Sequence, residues 1–116
     1  MATVPLSVVR AKSWGDAWVA SWSLGIADDG SPCEMIMASD KSVQVEGTFG
    51  AATVLIQGSN DGTNWRTLSD PSNAALSFTT AGLEAIQEHT RYIRPISSGG
   101  TGTNVTVTIF MRGQSN

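Results

Sequence analysis

The chain has 116 residues, enough for one domain with its own core. Hydrophobic residues make up 41 % and charged residues only 15 %, below the ~25 % usual for soluble domains, and Ser, Thr, Asn and Gly fill the difference. The net charge of -3 comes without any Lys/Arg cluster, which argues against a nucleic-acid partner, because neutralising phosphates needs concentrated positive charge.

The N-terminal MATVPLSVVRAKSWG has no long apolar stretch and no signal-peptide layout. No segment approaches the ~20 apolar residues of a membrane span, so no membrane partner is expected, and the chain is expected to be made in a reducing cytoplasm. Residues 1–12 read as an arm or edge strand reaching a neighbour, because Pro5 limits the use of this stretch in a central strand. Val4, Pro5 and Leu6 are the candidate contacts there.

SWGDAWVASWSLG places Trp14, Trp18 and Trp22 four residues apart. That spacing fits a helix stripe, and it also fits one face of a strand, since four is even. The Trp, Val and Ser content and the bracketing Gly15 and Gly25 favour a long strand, with Ala17, Val19 and Ser21 on the opposite face. The indole face then serves as core, as a subunit or capsid interface, or as a platform for stacking sugars, so Trp14, Trp18 and Trp22 are candidate interface residues. GIADDGSP reads as a loop and CEMIM as the next strand. The adjacent Asp28 and Asp29 diverge and make no catalytic dyad, and Cys33, being alone, reads as a small buried hydrophobe.

KSVQVEGTF sets Val43, Val45 and Gly47 against Ser42, Gln44, Glu46 and Thr48, a period-2 strand. TVLIQG, Thr53 to Gly58, is a fuller apolar run, as expected of a strand covered on both faces. GSNDGTNW follows. Asp61-Gly62 is a tight-turn pair, and the stretch lacks the alternating carboxylates and closing Glu of a calcium loop, so it reads as a hairpin turn with Trp65 packed on the sandwich. WRTLS and AALSFTT, Ala74 to Thr80, continue the strand series. LEAIQEHT, Leu83 to Thr90, predicts one helical turn after Gly82, and the single histidine, His89, reads as a surface or hydrogen-bonded residue. TRYIRPI is a strand with Arg91 and Ile93 outward and Tyr92 opposed, and SSGGTG is a hairpin loop. NVTVTIFMR sends Val105, Val107, Ile109 and Met111 one way and Thr106, Thr108, Phe110 and Arg112 the other.

Strands at intervals of about 8 to 12 residues, punctuated by Gly, Pro, Asn and Asp, give an all-β class: a single antiparallel β-sandwich over residues 1–116 with one short helical turn. There is no GxSxG elbow, P-loop or GxGxxG, and nothing assembles a nucleophile with a base. A non-enzymatic protein without cofactor or metal is expected. The sparse charge also fits a surface partly covered by neighbours.

SVQVEGTFGAATVLIQGSNDGTNWRTLSD, AALSFTTAGL and RYIRPISSGGTGTNVTVTIFMR together resemble small structural proteins of tailed bacteriophages, the capsid decoration or cement proteins and related virion proteins. The likeness spans residues 42 to 112, about 60 % of the chain. GSNDGTNW alone is also similar to a hairpin of discoidin-type carbohydrate- or lipid-binding sandwiches. The phage resemblance implies a jelly-roll-like sandwich that forms a homotrimer on the exterior of the capsid and clamps major capsid protein subunits. A carbohydrate-binding module, or another tail, baseplate or head-completion protein of a phage, is the competing reading. Exposure of the tryptophans is the discriminating observation.

Overall fold

Alternating strands separated by glycine and Asx turns close into two stacked sheets. The computed structural model describes residues 2–10, 17–34 and 38–113. Its strands are β1 (Ala2–Val4), β2 (Ser7–Arg10), β3 (Ala17–Leu24), β4 (Asp28–Gly30), β5 (Cys33–Glu34) and β6 (Ala38–Thr48), followed by β7 (Thr53–Ser59), β8 (Arg66–Thr67), β9 (Ser77–Phe78), β10 (Gly82–Ala85), β11 (Tyr92–Ser98) and β12 (Asn104–Gly113). One sheet runs β1-β4-β11-β7-β8, with β5 also on β11 and β9 on β7, and the other runs β10-β6-β12-β3-β2.

Taken in chain order, β3, β4/β5, β6, β7, β8/β9, β10, β11 and β12 fill the eight positions of a jelly roll. The first position pairs with the eighth, the eighth with the third and the third with the sixth. In the facing sheet the second pairs with the seventh, the seventh with the fourth and the fourth with the fifth. The strand pairs are antiparallel except β1 with β4.

The core lies between the sheets and follows the alternation. On β12, Val105, Val107, Ile109 and Met111 are buried while Thr106, Phe110 and Arg112 are exposed. On β3, Ala20, Trp22 and Leu24 point inward. Trp22 is only 1 % exposed, and its indole N–H donates to the Ser31 carbonyl at 2.8 Å, so its one polar atom is satisfied inside. Cys33 is buried, as its lone occurrence suggested.

Several expectations change. No helix occurs among the described residues. The stretch expected to make a helical turn instead gives β10, an edge strand on β6, followed by an irregular passage whose Ile86 donates its N–H to the Lys41 carbonyl. Leu83 is exposed and Ile86 buried, which suits a strand turning into a strap rather than a helix face. GIADDGSP is not all loop, since Asp28–Gly30 forms β4 between β1 and β11. TVLIQG is covered on one face only: Val54 and Ile56 are buried, whereas Leu55 is half-buried on the outer side. On β11 it is Ile93, with Pro95 and Ser97, that points inward, while Tyr92 and Arg94 lie outward. β8 and β9 are two residues each, shorter than the sequence pattern predicts.

Candidate interaction surface

Ser59 ends β7, and the chain reverses through Asn60–Asn64. Asp61 Oδ1 accepts from the backbone N–H groups of Thr63 and Asn64, each at 2.8 Å, and from Ser59 Oγ at 2.9 Å. Its Oδ2 accepts from the Asn64 side-chain amide at 2.9 Å. The Asn64 and Thr63 backbone N–H groups, followed by the side chains of Asn64 and Ser59, hold this carboxyl far below the usual carboxylate range. Both oxygens are committed to closing the turn. Gly62 takes a φ of +75°, a conformation costly for other residues, and a Cβ there would sit 3.5 Å from the Tyr92 ring. GSNDGTNW is thus a self-satisfied turn laid on Tyr92, and no group of three His, Cys, Asp or Glu able to hold a metal occurs among the described residues.

The turn delivers Trp65 to the outer face of the β11-containing sheet. There the register sets Tyr92 opposite Ser59 and Arg94 opposite Gln57. The Arg94 guanidinium carbon lies 4.2 Å from the Trp65 ring centroid, and its Nε donates to Gln57 Oε1 at 3.1 Å. Beside it Arg91 lies 5.1 Å from the Tyr92 ring centroid and pairs with Glu34 at 2.9 Å, Glu34 being aligned with Tyr92 through β5. Two arginine–aromatic stacks therefore sit side by side, one ion-paired and one with no ion pair among the described residues.

The residues singled out from sequence are distributed differently. Trp14 lies outside the described residues. Trp18 is half-buried and packs against the core. Trp22 belongs to the core itself, because its even position on β3 faces the opposite sheet, so it offers no interface surface. Val4 and Leu6 are half-buried against the core, and Pro5 is exposed. Residues 2–4 and 7–10 pair with this chain's own β4 and β3. The Trp65–Arg94 stack was not visible in the sequence. It needs the register of β11 against β7, which joins residues 37 apart.

The opposite outer face, on β3, β12, β6 and β10, is of another kind. It carries Phe110, 43 % exposed, and Leu83, 64 % exposed, among Ser, Thr and Gln side chains. At one end of β6, Lys41 is buried on the inward face, and its Nζ lies 3.0 Å from His89 Nδ1. Burial pushes the Lys41 ammonium down from its ordinary value, with Asp40 and Glu88 pulling the other way. Glu88 in turn accepts from the Ser69 N–H at 2.8 Å and from Ser69 Oγ, fastening the strap after β10 to the segment after β8. A shallow open depression of about 320 Å³ lies along residues 74–82, with Asp70 and Glu84 at its margin, and no base–nucleophile pair lines it.

No protein-family model and no curated protein matches the chain. Among solved structures, it is similar to the SPBc2 prophage-derived protein YomS at 11 % identity and a TM-score of 0.62, over 82 % of this chain and 93 % of that one. It also aligns with a cupin domain from Bordetella pertussis at 11 % identity and a TM-score of 0.43, over 99 % of both chains. The likeness to YomS is one of fold: the two-sheet sandwich is shared with a prophage-derived protein.

Proposed function

We propose that the chain is a non-enzymatic structural protein of a phage virion, a decoration or cement protein that binds major capsid protein on the outside of the head. The observation that carries this reading is the jelly-roll sandwich shared along most of both chains with a prophage-derived protein. The side chains support it, since most of the titratable groups of the described residues are spent on turns, ion pairs and straps. A cement needs no chemistry. It needs interface area repeated around a shell, where avidity multiplies modest single contacts, and a homotrimer suits the local three-fold positions of such a shell.

The carbohydrate-binding reading needs flat, open aromatic faces. Trp22 is inside the core and Trp65 carries Arg94 on its ring, so both are poor platforms. The test is direct. Purified protein is mixed with heads that lack it, and the pellet is assayed after sedimentation, with native mass spectrometry of the free protein alongside. Saturable co-sedimentation and a trimer mass are expected. Protein left in the supernatant at every concentration would sink the reading.

A further inference from the structure

Arg94 differs from Arg91 and Arg112. Arg91 meets Glu34 and Arg112 meets Asp40, whereas Arg94 meets no carboxylate among the described residues. It is nonetheless held in place, because its Nε is tied to Gln57 and its plane lies over Trp65, while its two terminal amino groups have no partner among the described residues. A guanidinium fixed in this way is prepared to receive a carboxylate in two parallel hydrogen bonds, and little side-chain entropy remains to be lost on binding. Trp, Tyr and Arg are also the residues that dominate the energetics of protein interfaces, and Trp65, Tyr92, Arg91 and Arg94 lie together on one outer sheet face.

We infer that this face is the docking surface, with Arg94 as its anchor for an Asp or Glu side chain of the partner protein, an inference that rests on the head-binding reading above. Three observations choose the occupant. A sugar would need the indole face that Arg94 already covers. A nucleic acid would meet a chain of net charge -3 with Glu34 and Asp61 beside the arginines. A second copy of this chain has few carboxylates to give: Asp28, Glu34, Asp40, Glu46, Asp61, Asp70 and Glu88 are all engaged in hydrogen bonds or ion pairs, which among the described residues leaves Asp29 and Glu84. A single Asp or Glu side chain on a different protein, seated on Arg94, fits best.

The test adds wild type, Arg94→Glu, Arg94→Lys and Phe110→Ser to heads lacking the protein, at two salt concentrations. Each variant's melting temperature is checked first. Wild type is expected to bind, and to bind more weakly at high salt. Arg94→Glu should weaken binding at least tenfold, Arg94→Lys should fall between, and Phe110→Ser on the opposite face should bind within twofold of wild type. If Arg94→Glu does not fold, Arg94→Gln takes its place with the same expected loss. A folded Arg94→Glu or Arg94→Gln that binds like wild type overturns the assignment of this face and leaves the head-binding reading standing. A wild-type protein that ignores heads overturns both, as does one that binds a carboxylated polysaccharide instead.

Discussion

Gly30→Ala tests how closely the two sheets are fitted around the buried tryptophan. Gly30 ends β4, and a Cβ built on it would lie 2.5 Å from Pro95 Cδ, 2.8 Å from Pro95 Cγ and 2.9 Å from Trp22 Cδ1. Carbon atoms prefer about 3.5–4.0 Å, so one methyl demands roughly 1 Å of movement from its neighbours. Neither neighbour is placed to move. Pro95 is on β11, paired opposite Ile56 in the middle of its sheet, and the Trp22 indole is anchored to Ser31. Forcing a methyl into a filled core costs about 1–3 kcal/mol, and replacing Gly with Ala returns about 0.4–1 kcal/mol by restricting the unfolded chain. The net loss should be about 1–2 kcal/mol, or about 4–8 °C in Tm for a domain near this size. Urea denaturation of both proteins measures it. Pro95→Ala supplies the second arm, because it removes the two atoms nearest the new methyl. The double variant should therefore cost less than the sum of the single ones, by about 1 kcal/mol. A Gly30→Ala protein as stable as wild type, or single and double variants that add, would show that this contact is not tight.

Three further substitutions probe the loops and straps. Thr103 Oγ1 donates to the Phe49 carbonyl at 2.8 Å inside the protein, and the same carbonyl accepts from the Ala52 N–H at 3.0 Å, so Thr103→Val, of nearly the same shape, removes one of its two hydrogen bonds; a loss of about 0.5–1.5 kcal/mol in urea denaturation is expected, and no loss would mean that the Ala52 bond alone satisfies the carbonyl. Lys41 is held below its ordinary pKa by burial, so the folded protein binds this proton less tightly than the unfolded chain, whose lysine titrates near ~10.4. Wild type should accordingly gain stability relative to Lys41→Met between pH 7 and pH 10, and parallel stability curves for the two would contradict this. Asp61, whose carboxyl is depressed by the turn N–H groups, contributes stability that is complete above the unfolded value of ~3.9 and is lost as pH falls through the lower folded value. Asp61→Ala should speed amide exchange at Thr63 and Asn64 at pH 7, with the difference from wild type closing in strong acid.

How much of this was legible in the sequence depended on whether a signal was local. β12 was read residue by residue, because strict alternation of Val, Thr and Ile leaves one solution for a half-buried strand. The turn at Asp61-Gly62 is equally plain, since the hydrogen bonds of the Asp61 carboxylate reach only from residue 59 to residue 64. LEAIQEHT misleads because Leu83 and Ile86, three apart among Glu84, Gln87 and Glu88, mimic a helical period. What fixes β10 is a partner strand, with Leu83 aligned on Gln44 and Ala85 on Ser42, and no feature within the segment announces it. For Trp18 and Trp22 the spacing gives the strand and the shared face but not which side that face takes, and Trp14 lies outside the described residues. Position 22 is core because β3 is sandwiched between β12 and β2 in its own sheet and faces the other sheet, a fact of topology. Lys41 shows the same limit. It shares the inward parity of Val43 and Val45, but only the strap carrying His89 and Glu88 makes a lysine tolerable there.

The sparse charge of the chain suggested a surface covered by neighbours, and the strand register gives it a more economical cause. Aligned across the second sheet, Ser7, Ser21, Thr108, Gln44 and Leu83 form one row on the outer face, four of its five members neutral and hydrogen-bonding. Hydroxyls and amides keep this row wettable without ions. Its edge strand β10 is kept to four residues and carries Glu84, which discourages edge-to-edge pairing. Low charge is therefore accounted for on this side without any partner. The other sheet cannot be explained in the same way. A guanidinium parked on an indole, tied at one nitrogen and offered no carboxylate among the described residues, does nothing for wetting that a serine would not do better. Arg94 and Trp65, rather than the composition as a whole, are the features on which the proposed docking face around β7 and β11 rests.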